Sequence, residues 1–375
     1  MPKVKNLVIS GGGISGIGIL GILKYCDEYN ILNDVENYVG TSIGSIISLL
    51  LIINYQYYDI YDFFKYFNLE KLINSVDIDN FFENYGFENS DKIIYVIKRL
   101  LGNKNISENI TFNELYEISN KKLTITGVCL SDNNLYYFNH KLTPNMKVLT
   151  AIRISSSIPI LFSPVKYDDK LWLDGGIIQN YPIEFCKNDI ENTLGISIFD
   201  GCFNKCVEID NVVDFMVNLI KCVAYGNNNL DISKYKNNTI KLVHEFNSFA
   251  DFSVESNTIK EIYDLGYECA KEQHNIIEQF INSTKTEEKT ANSNTSTESD
   301  DTFNCLFVDK QDELDSISSN SVYCTLIATD VSVTSHTQSD QSIPSILDQN
   351  EDPLSSLSKH VNPLDDVNPL DDVNP

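Results

Sequence analysis

The sequence is short of several things, and each shortage removes a class of protein. Its nine cysteines form no C-x-x-C pair, and Cys202 with Cys206 has no second pair or histidine partners to complete a zinc site. The thiols therefore read as reduced and mostly buried. Positive charge is scarce: 28 Lys and Arg face 53 Asp and Glu, a formal net charge of -25. Nucleic acid is excluded as a partner, because its phosphates would be repelled by such a surface. No apolar run reaches the roughly 20 residues that a bilayer span requires, and Ile43 to Ile53 reads as a buried helix instead. Lys3 and Lys5 followed by Leu7 to Leu23 imitate a signal peptide, yet six glycines between Gly11 and Gly21 interrupt the stretch and no A-x-A site follows. An intracellular protein without signal peptide or transmembrane helix is expected, soluble or peripherally membrane-associated.

What is present is a body and a tail. With 375 residues and 42% hydrophobic content, the chain can build one large α/β domain or two ordinary ones. Residues 286–375 hold 18 acids and 3 bases, so the tail is at -15 and the remainder at -10. Beyond Thr284 the composition turns to Ser, Thr, Asn and Asp, and Val361 to Asp366 repeats as Val367 to Asp372. Such text buries too little apolar surface to fold, so residues 284–375 are expected to be disordered, with a protein partner as their candidate use.

The body reads as alternating strands and helices. Val4 to Ser10 is a buried strand ending at a glycine cluster, Ile14 to Tyr29 a helix, Asn37 to Val39 a short strand, and Ser45 to Ile53 an apolar helix. Tyr58, Tyr61, Phe64 and Phe67 recur at helical spacing, fitting helices that cover a sheet, with lipid contact as the alternative use of these rings. Strands are expected over 122–130, 134–139, 170–173, 193–199 and 239–246, and helices over 149–154, 210–225 and 258–282. This is α/β order.

Three glycine-bearing sites carry the chemistry. Gly11-Gly12-Gly13-Ile14-Ser15-Gly16 lies between a strand and a helix, where successive amides and a helix N-terminus favour an anion. It satisfies G-x-G-x-x-G, but the second strand runs into Gly40-Thr41-Ser42 where a dinucleotide site needs an acid for the ribose. Gly40-Thr41-Ser42-Ile43-Gly44 is a G-x-S-x-G between strand and helix, the context of a nucleophile elbow, although a plain helix N-cap would also use Ser42. Asp174-Gly175-Gly176 closes a strand, where Asp-Gly is more often a hairpin turn. Together, and in this order, an anion cradle, an elbow serine and a strand-end carboxylate are the parts that acyl transfer needs.

With these motifs the chain resembles the patatin-like phospholipase family. Ser10 to Gly16 matches its glycine-rich oxyanion loop, Gly40 to Gly44 its G-x-S-x-G, and Asp174 to Gly176 its D-G-G/A. Ile154 to Pro159 with Phe162 to Val165, and Asp174 to Pro182, match in place, so the likeness runs from about Leu7 to Phe185. It implies a three-layer α/β/α patatin-like fold with a mainly parallel central sheet: a catalytic core over 1–200, a packed extension over 201–283, and the tail. It also implies a calcium-independent phospholipase A-type lipid acyl hydrolase with a Ser42–Asp174 dyad, an oxyanion hole at Gly11, Gly12, Gly13 and Gly16, elbow glycines Gly40 and Gly44, and dyad-turn glycines Gly175 and Gly176. No cofactor or metal is implied. The partners implied are a phospholipid or other acyl lipid and a transient membrane surface. The family's usual Arg or Lys after Gly-Gly-Gly-x is replaced by Ser15, which removes a cation's help in anchoring the loop or orienting a phosphate.

Three rivals stand beside this expectation. An α/β-hydrolase triad would recruit His244, although that fold places several strands before its elbow. A catalytically silent lipid-binding scaffold would keep the fold alone. A nucleotide-binding enzyme would use Gly11 to Gly16 and ignore Ser42.

Overall fold

A computed structural model describes residues 3–66, 78–200, 209, 215, 218, 219, 222, 233–244 and 256–281. The expected helix over 210–225 falls largely outside the described residues, and the expected disordered tail over 284–375 wholly so.

The elements in chain order are β1 (Asn6–Ile9), a 3-10 turn (Gly13–Ser15), α1 (Gly16–Glu28), β2 (Asn37–Gly40), α2 (Ile43–Ile52), α3 (Tyr57–Tyr66), α4 (Ile78–Asn84), β3 (Gly86–Glu88), α5 (Asp91–Asn103) and α6 (Phe112–Ser119). Then come β4 (Lys122–Cys129), β5 (Asn134–Asn139), α7 (Val148–Ser155), β6 (Ile160–Phe162), β7 (Val165–Tyr167), β8 (Lys170–Asp174), α8 (Gly176–Gln179), a kinked 3-10 segment (Ile183–Asn192), β9 (Thr193–Asp200), β10 (Thr239–His244) and α9 (Ser256–Glu272). The main sheet runs β10-β9-β1-β2-β4-β8-β7, with β5 also on β4; β3 and β6 form a separate pair. The pairings from β10 to β4 are parallel, whereas β5 and β8 on β4, and β7 on β8, are antiparallel.

Both faces of the parallel part are covered, which is why its strands read as near-continuous apolar runs. Successive side chains point to opposite faces. Leu7, Ile9 and Tyr38 join the large cluster with Ile17, Leu20, Ile47 and Ile262, from α1, α2 and α9. Val8 and Val39 meet Tyr181, Ile183, Cys186 and Tyr235 on the other face. The result is helices, sheet and a thinner layer built on Ile183–Asn192. Strand β10 and helix α9, from the expected extension, complete the same sheet and the same core. Part of the aromatic stretch serves packing: Phe63 of α3 is buried and Tyr61 lies against Tyr263 of α9 at 4.0 Å between ring centroids, whereas Tyr58 is exposed and Phe67 lies outside the described residues.

Asparagine takes backbone positions that glycine commonly fills. Asn30, Asn54, Asn105, Asn120 and Asn133 all have positive φ, a conformation asparagine tolerates through its short polar side chain. Of the described cysteines, Cys26, Cys129 and Cys186 are buried, Cys269 is half-buried and Cys222 exposed, and all are free.

Helices α1 and α9 cross with their backbones almost touching. A Cβ on Gly266 would lie 1.8 Å from the Gly18 carbonyl oxygen, and one on Gly21 2.0 Å from the Tyr263 carbonyl oxygen. Backbone cannot step aside as a side chain can, so Gly266→Ala should destabilise the fold by about 1–3 kcal/mol through forced separation of the helices. Denaturant unfolding checks this; an unchanged midpoint would show that the crossing is looser than described.

Candidate active site

The site is assembled where β1, β2 and β8 end. β2 pairs with residues 122–125 of β4, and β8 with residues 127–129. Since β5 pairs along 124–129 and a strand has two edges, β2 and β8 share the other edge of β4. Gly40 ends β2 opposite Ile125, and Asp174 ends β8 opposite Gly127. The carboxylate thus arrives from the opposite direction at the point where β2 stops and the turn to Ser42 begins.

That turn is sharp and needs its glycines. A Cβ on Gly40 would stand 2.6 Å from the Gly44 carbonyl, and one on Gly44 2.4 Å from the Ile9 carbonyl oxygen. Between them Ser42 adopts φ 52° and ψ -125°, the conformation of the first central residue of a type II′ turn and one that favours glycine. Ser42 occupies the N-cap position of α2, yet its side chain makes no capping hydrogen bond. The hydroxyl is left for Asp174, whose carboxylate it supports as a hydrogen-bond donor.

The turn is held from several sides. The Ser42 amide donates to Ser155 Oγ at 2.9 Å, Ser45 Oγ donates to the Ser42 carbonyl at 2.6 Å, and Thr41 Oγ1 shares a 2.6 Å hydrogen bond with Thr126 Oγ1. Ser155 is the last residue of α7.

Asp174 is 4% exposed. Burial raises its carboxyl to about 7, against the opposing pull of the Gly176 amide and the Ser42 hydroxyl. The Gly176 amide donates to Asp174 Oδ1 at 2.7 Å. Asp174-Gly175 does not form a hairpin turn, because Gly175 leads into α8. A Cβ on Gly175 would meet Thr126 Oγ1 at 2.2 Å, and one on Gly176 would meet Asp174 Oδ1 at 3.1 Å.

The glycine-rich loop lies beside the serine, for a Cβ on Gly11 would be 3.2 Å from Ser42 Cβ. Its amides divide into two sets. Gly11 donates to the Asn180 carbonyl at 3.1 Å, and Gly16 donates within its own turn to Gly13 and Ile14. Among the described residues, no protein acceptor engages the amides of Gly12, Gly13 or Ile43. The expectation that all four loop glycines offer donors is therefore corrected: Gly11 is consumed in holding the loop to Asn180, and Gly16 packs on Ile43 inside the start of α1.

Motif reading did not single out Asn180, Thr126 or Ser155, which hold the site together. Asn180 brackets Gly11, accepting from its amide and donating from Nδ2 to its carbonyl at 3.3 Å. The signal available for it was its place in the Asp174 to Pro182 stretch. Ser10 Oγ ties the loop to β9, accepting from the Ile198 amide at 2.9 Å. Of the two histidines weighed as a base, His140 stacks on Tyr116, centroids 4.3 Å apart, and His244 Nδ1 is 2.9 Å from Ser15 Oγ. Among the described residues, the groups that act on the Asp174 carboxylate are the Gly176 amide and the Ser42 hydroxyl, an arrangement that does not resemble a histidine triad.

Residues 7–187 match the patatin-like phospholipase family. The chain carries a patatin-like phospholipase domain over those residues. The patatin-like region covers the glycine loop, the elbow and Asp174, and stops before β9. Curated relatives include the uncharacterized protein R571 of Acanthamoeba polyphaga mimivirus, 29% identical over 286 residues that span 72% of this chain and 94% of that protein. A second, the probable lipid hydrolase 463L of Invertebrate iridescent virus 6, is 35% identical over 190 residues, 49% of this chain and 63% of that protein. Among solved structures, VipD from Legionella pneumophila aligns with a TM-score of 0.48 at 18% identity, over 75% of this chain and 68% of that one. Among the described residues, no helix of this patatin-like protein is long and apolar enough to cross a membrane.

Proposed function

We propose that the protein is a lipid hydrolase that cleaves fatty-acyl esters of phospholipids or related lipids, in the manner of a phospholipase A, through an acyl-serine on Ser42. Asp174 takes the Ser42 proton as the hydroxyl attacks the acyl carbonyl, and the carbonyl oxygen becomes an anion facing the amides of Gly12, Gly13 and Ile43. Collapse breaks the ester bond, and Asp174 returns the proton to the departing alcohol. Water then attacks the acyl-serine, with Asp174 again receiving a proton, and the fatty acid leaves as Ser42 recovers its own.

One observation supports this reading: a buried carboxyl raised to about 7 feels the hydroxyl of a serine held in a glycine-like conformation. An ordinary carboxylate is too weak a base for a serine at neutral pH, whereas one near 7 is suited to accept and return a proton there. The reading needs no calcium, because the electrophilic help comes from backbone amides. A zwitterionic lipid suits a protein of net charge -25 better than an anionic surface would.

Phosphatidylcholine vesicles incubated with the purified protein in EDTA should release fatty acid and lysophospholipid. Release that persists in Asp174→Ala would remove the dyad, and release that requires added calcium would remove the calcium independence. Residues 201–283 belong to the catalytic unit in this proposal, since β10 and α9 complete its sheet and core, and the acidic tail is proposed to serve a protein partner.

A further inference from the structure

His244, at the end of β10, and Ser15, in the turn between the glycine loop and α1, lie 229 positions apart and meet at 2.9 Å between Nδ1 and Oγ. Ser15 is buried, and its amide donates to the Gly12 carbonyl at 3.1 Å. In a trans peptide the carbonyl of one residue and the amide of the next point to opposite sides of one plane. Whatever fixes the Gly12 carbonyl towards Ser15 therefore fixes the Gly13 amide facing away from it. Gly13 itself has φ 54°, and a glycine in that region has little intrinsic preference to hold the plane in place.

From this chain of contacts we infer that His244 is a positioning residue for the acyl-transfer site: it pins Ser15, Ser15 holds the Gly12 carbonyl, and the Gly13 amide is thereby kept turned for the oxyanion. The inference rests on the proposed hydrolase reading for its catalytic consequence, but the anchoring stands on the geometry alone. The other ties of the loop act nearer its start. Ser10 is bonded to β9 and Gly11 to Asn180, so neither controls the Gly12–Gly13 peptide directly. β10 is the terminal strand of the sheet order, and His244 at its end is half-buried and not one of the core residues.

The anchoring predicts a kinetic split. An amide that turns away from a developing oxyanion weakens the transition state and leaves substrate binding nearly unchanged. Ser15→Ala and His244→Ala should each lower kcat roughly 10-fold with KM within about 2-fold, a fraction of the 10²–10³ expected for complete loss of a donor. The double variant should be no worse than either single one, because both remove the same contact. His244→Asn, whose amide can stand where Nδ1 stood, should recover most of kcat. Hydrogen exchange of the peptide spanning residues 11–16 should quicken in both alanine variants and return towards the native rate in His244→Asn.

Native kcat in His244→Ala, or losses in the two single variants that multiply in the double one, would overturn the inference while leaving the hydrolase intact. Should the native protein hydrolyse no ester, the hydrolase reading fails by itself and exchange decides the anchoring. Unchanged exchange in both alanine variants would then overturn it, and quickened exchange would support it.

Discussion

Ser42→Ala and Ser42→Gly are both expected to abolish fatty-acid release, by about 10⁴-fold or more as befits the loss of a nucleophile, while differing from each other in stability. Ser42 holds φ 52° and ψ -125°, a region in which a side chain costs on the order of 1–3 kcal/mol. The strain is maintained by the tight contacts at Gly40 and Gly44 and by the bond from the Ser42 amide to Ser155. Alanine keeps the Cβ and so keeps the strain. Glycine removes it, and even after the extra entropy that glycine loses on folding, about 0.5–1 kcal/mol, Ser42→Gly should be the more stable variant by roughly 1 kcal/mol. Denaturant unfolding of the three proteins, alongside vesicle hydrolysis, separates the two effects. Equal stability of the glycine and alanine variants would mean that the elbow stores no strain, and residual turnover in both would point to another nucleophile.

Much of the fold was legible because its signals are local. The strand expected over Val4 to Ser10 is Asn6–Ile9, and that expected over Asn37 to Val39 is Asn37–Gly40; each is an apolar run cut short by glycine. The pairs β3–β6 and β7–β8 were harder, since three-residue strands such as Gly86–Glu88, Ile160–Phe162 and Val165–Tyr167 are too short to display a period. At the site, Ser42 and Asp174 stood out because their flanking glycines are demanded by close contacts that any such turn would make. The division of labour among loop glycines was not readable. Gly11, Gly12, Gly13 and Gly16 are the same residue type, and only the acceptors around them, Asn180 for one and the helix's own turn for another, distinguish an anchored amide from one without a protein acceptor. Thr126 carried no motif signal and Ser155 only its place in the Ile154 to Pro159 stretch, as each acts through a partner 85 or 113 positions away.

Asp174→Asn should cost at least about 10³-fold in kcat/KM and at the same time stabilise the protein at neutral and alkaline pH. The carboxyl stands at about 7 in the folded state against 3.8 in its ordinary state. Below about pH 4 both folded and unfolded chains carry the proton. Between there and about 7 the folded chain keeps the proton that the unfolded chain has released, so stability declines as pH rises through this window. Above about 7 both forms are ionised and the loss is complete, at most about 4 kcal/mol for a shift of this size. Asparagine fills nearly the same space, can accept from the Gly176 amide, and never ionises. Its advantage over the native residue should be absent near pH 4, grow between about 4 and 7, and level off beyond. Native kcat/KM should follow the opposite course, rising as the base ionises and reaching its plateau above about 7. Activity and stability are thus set against each other by one buried carboxyl. A native activity plateau extending down to pH 5, or an asparagine variant with no stability gain at pH 8, would show that Asp174 is ionised across the range and is not the base proposed here.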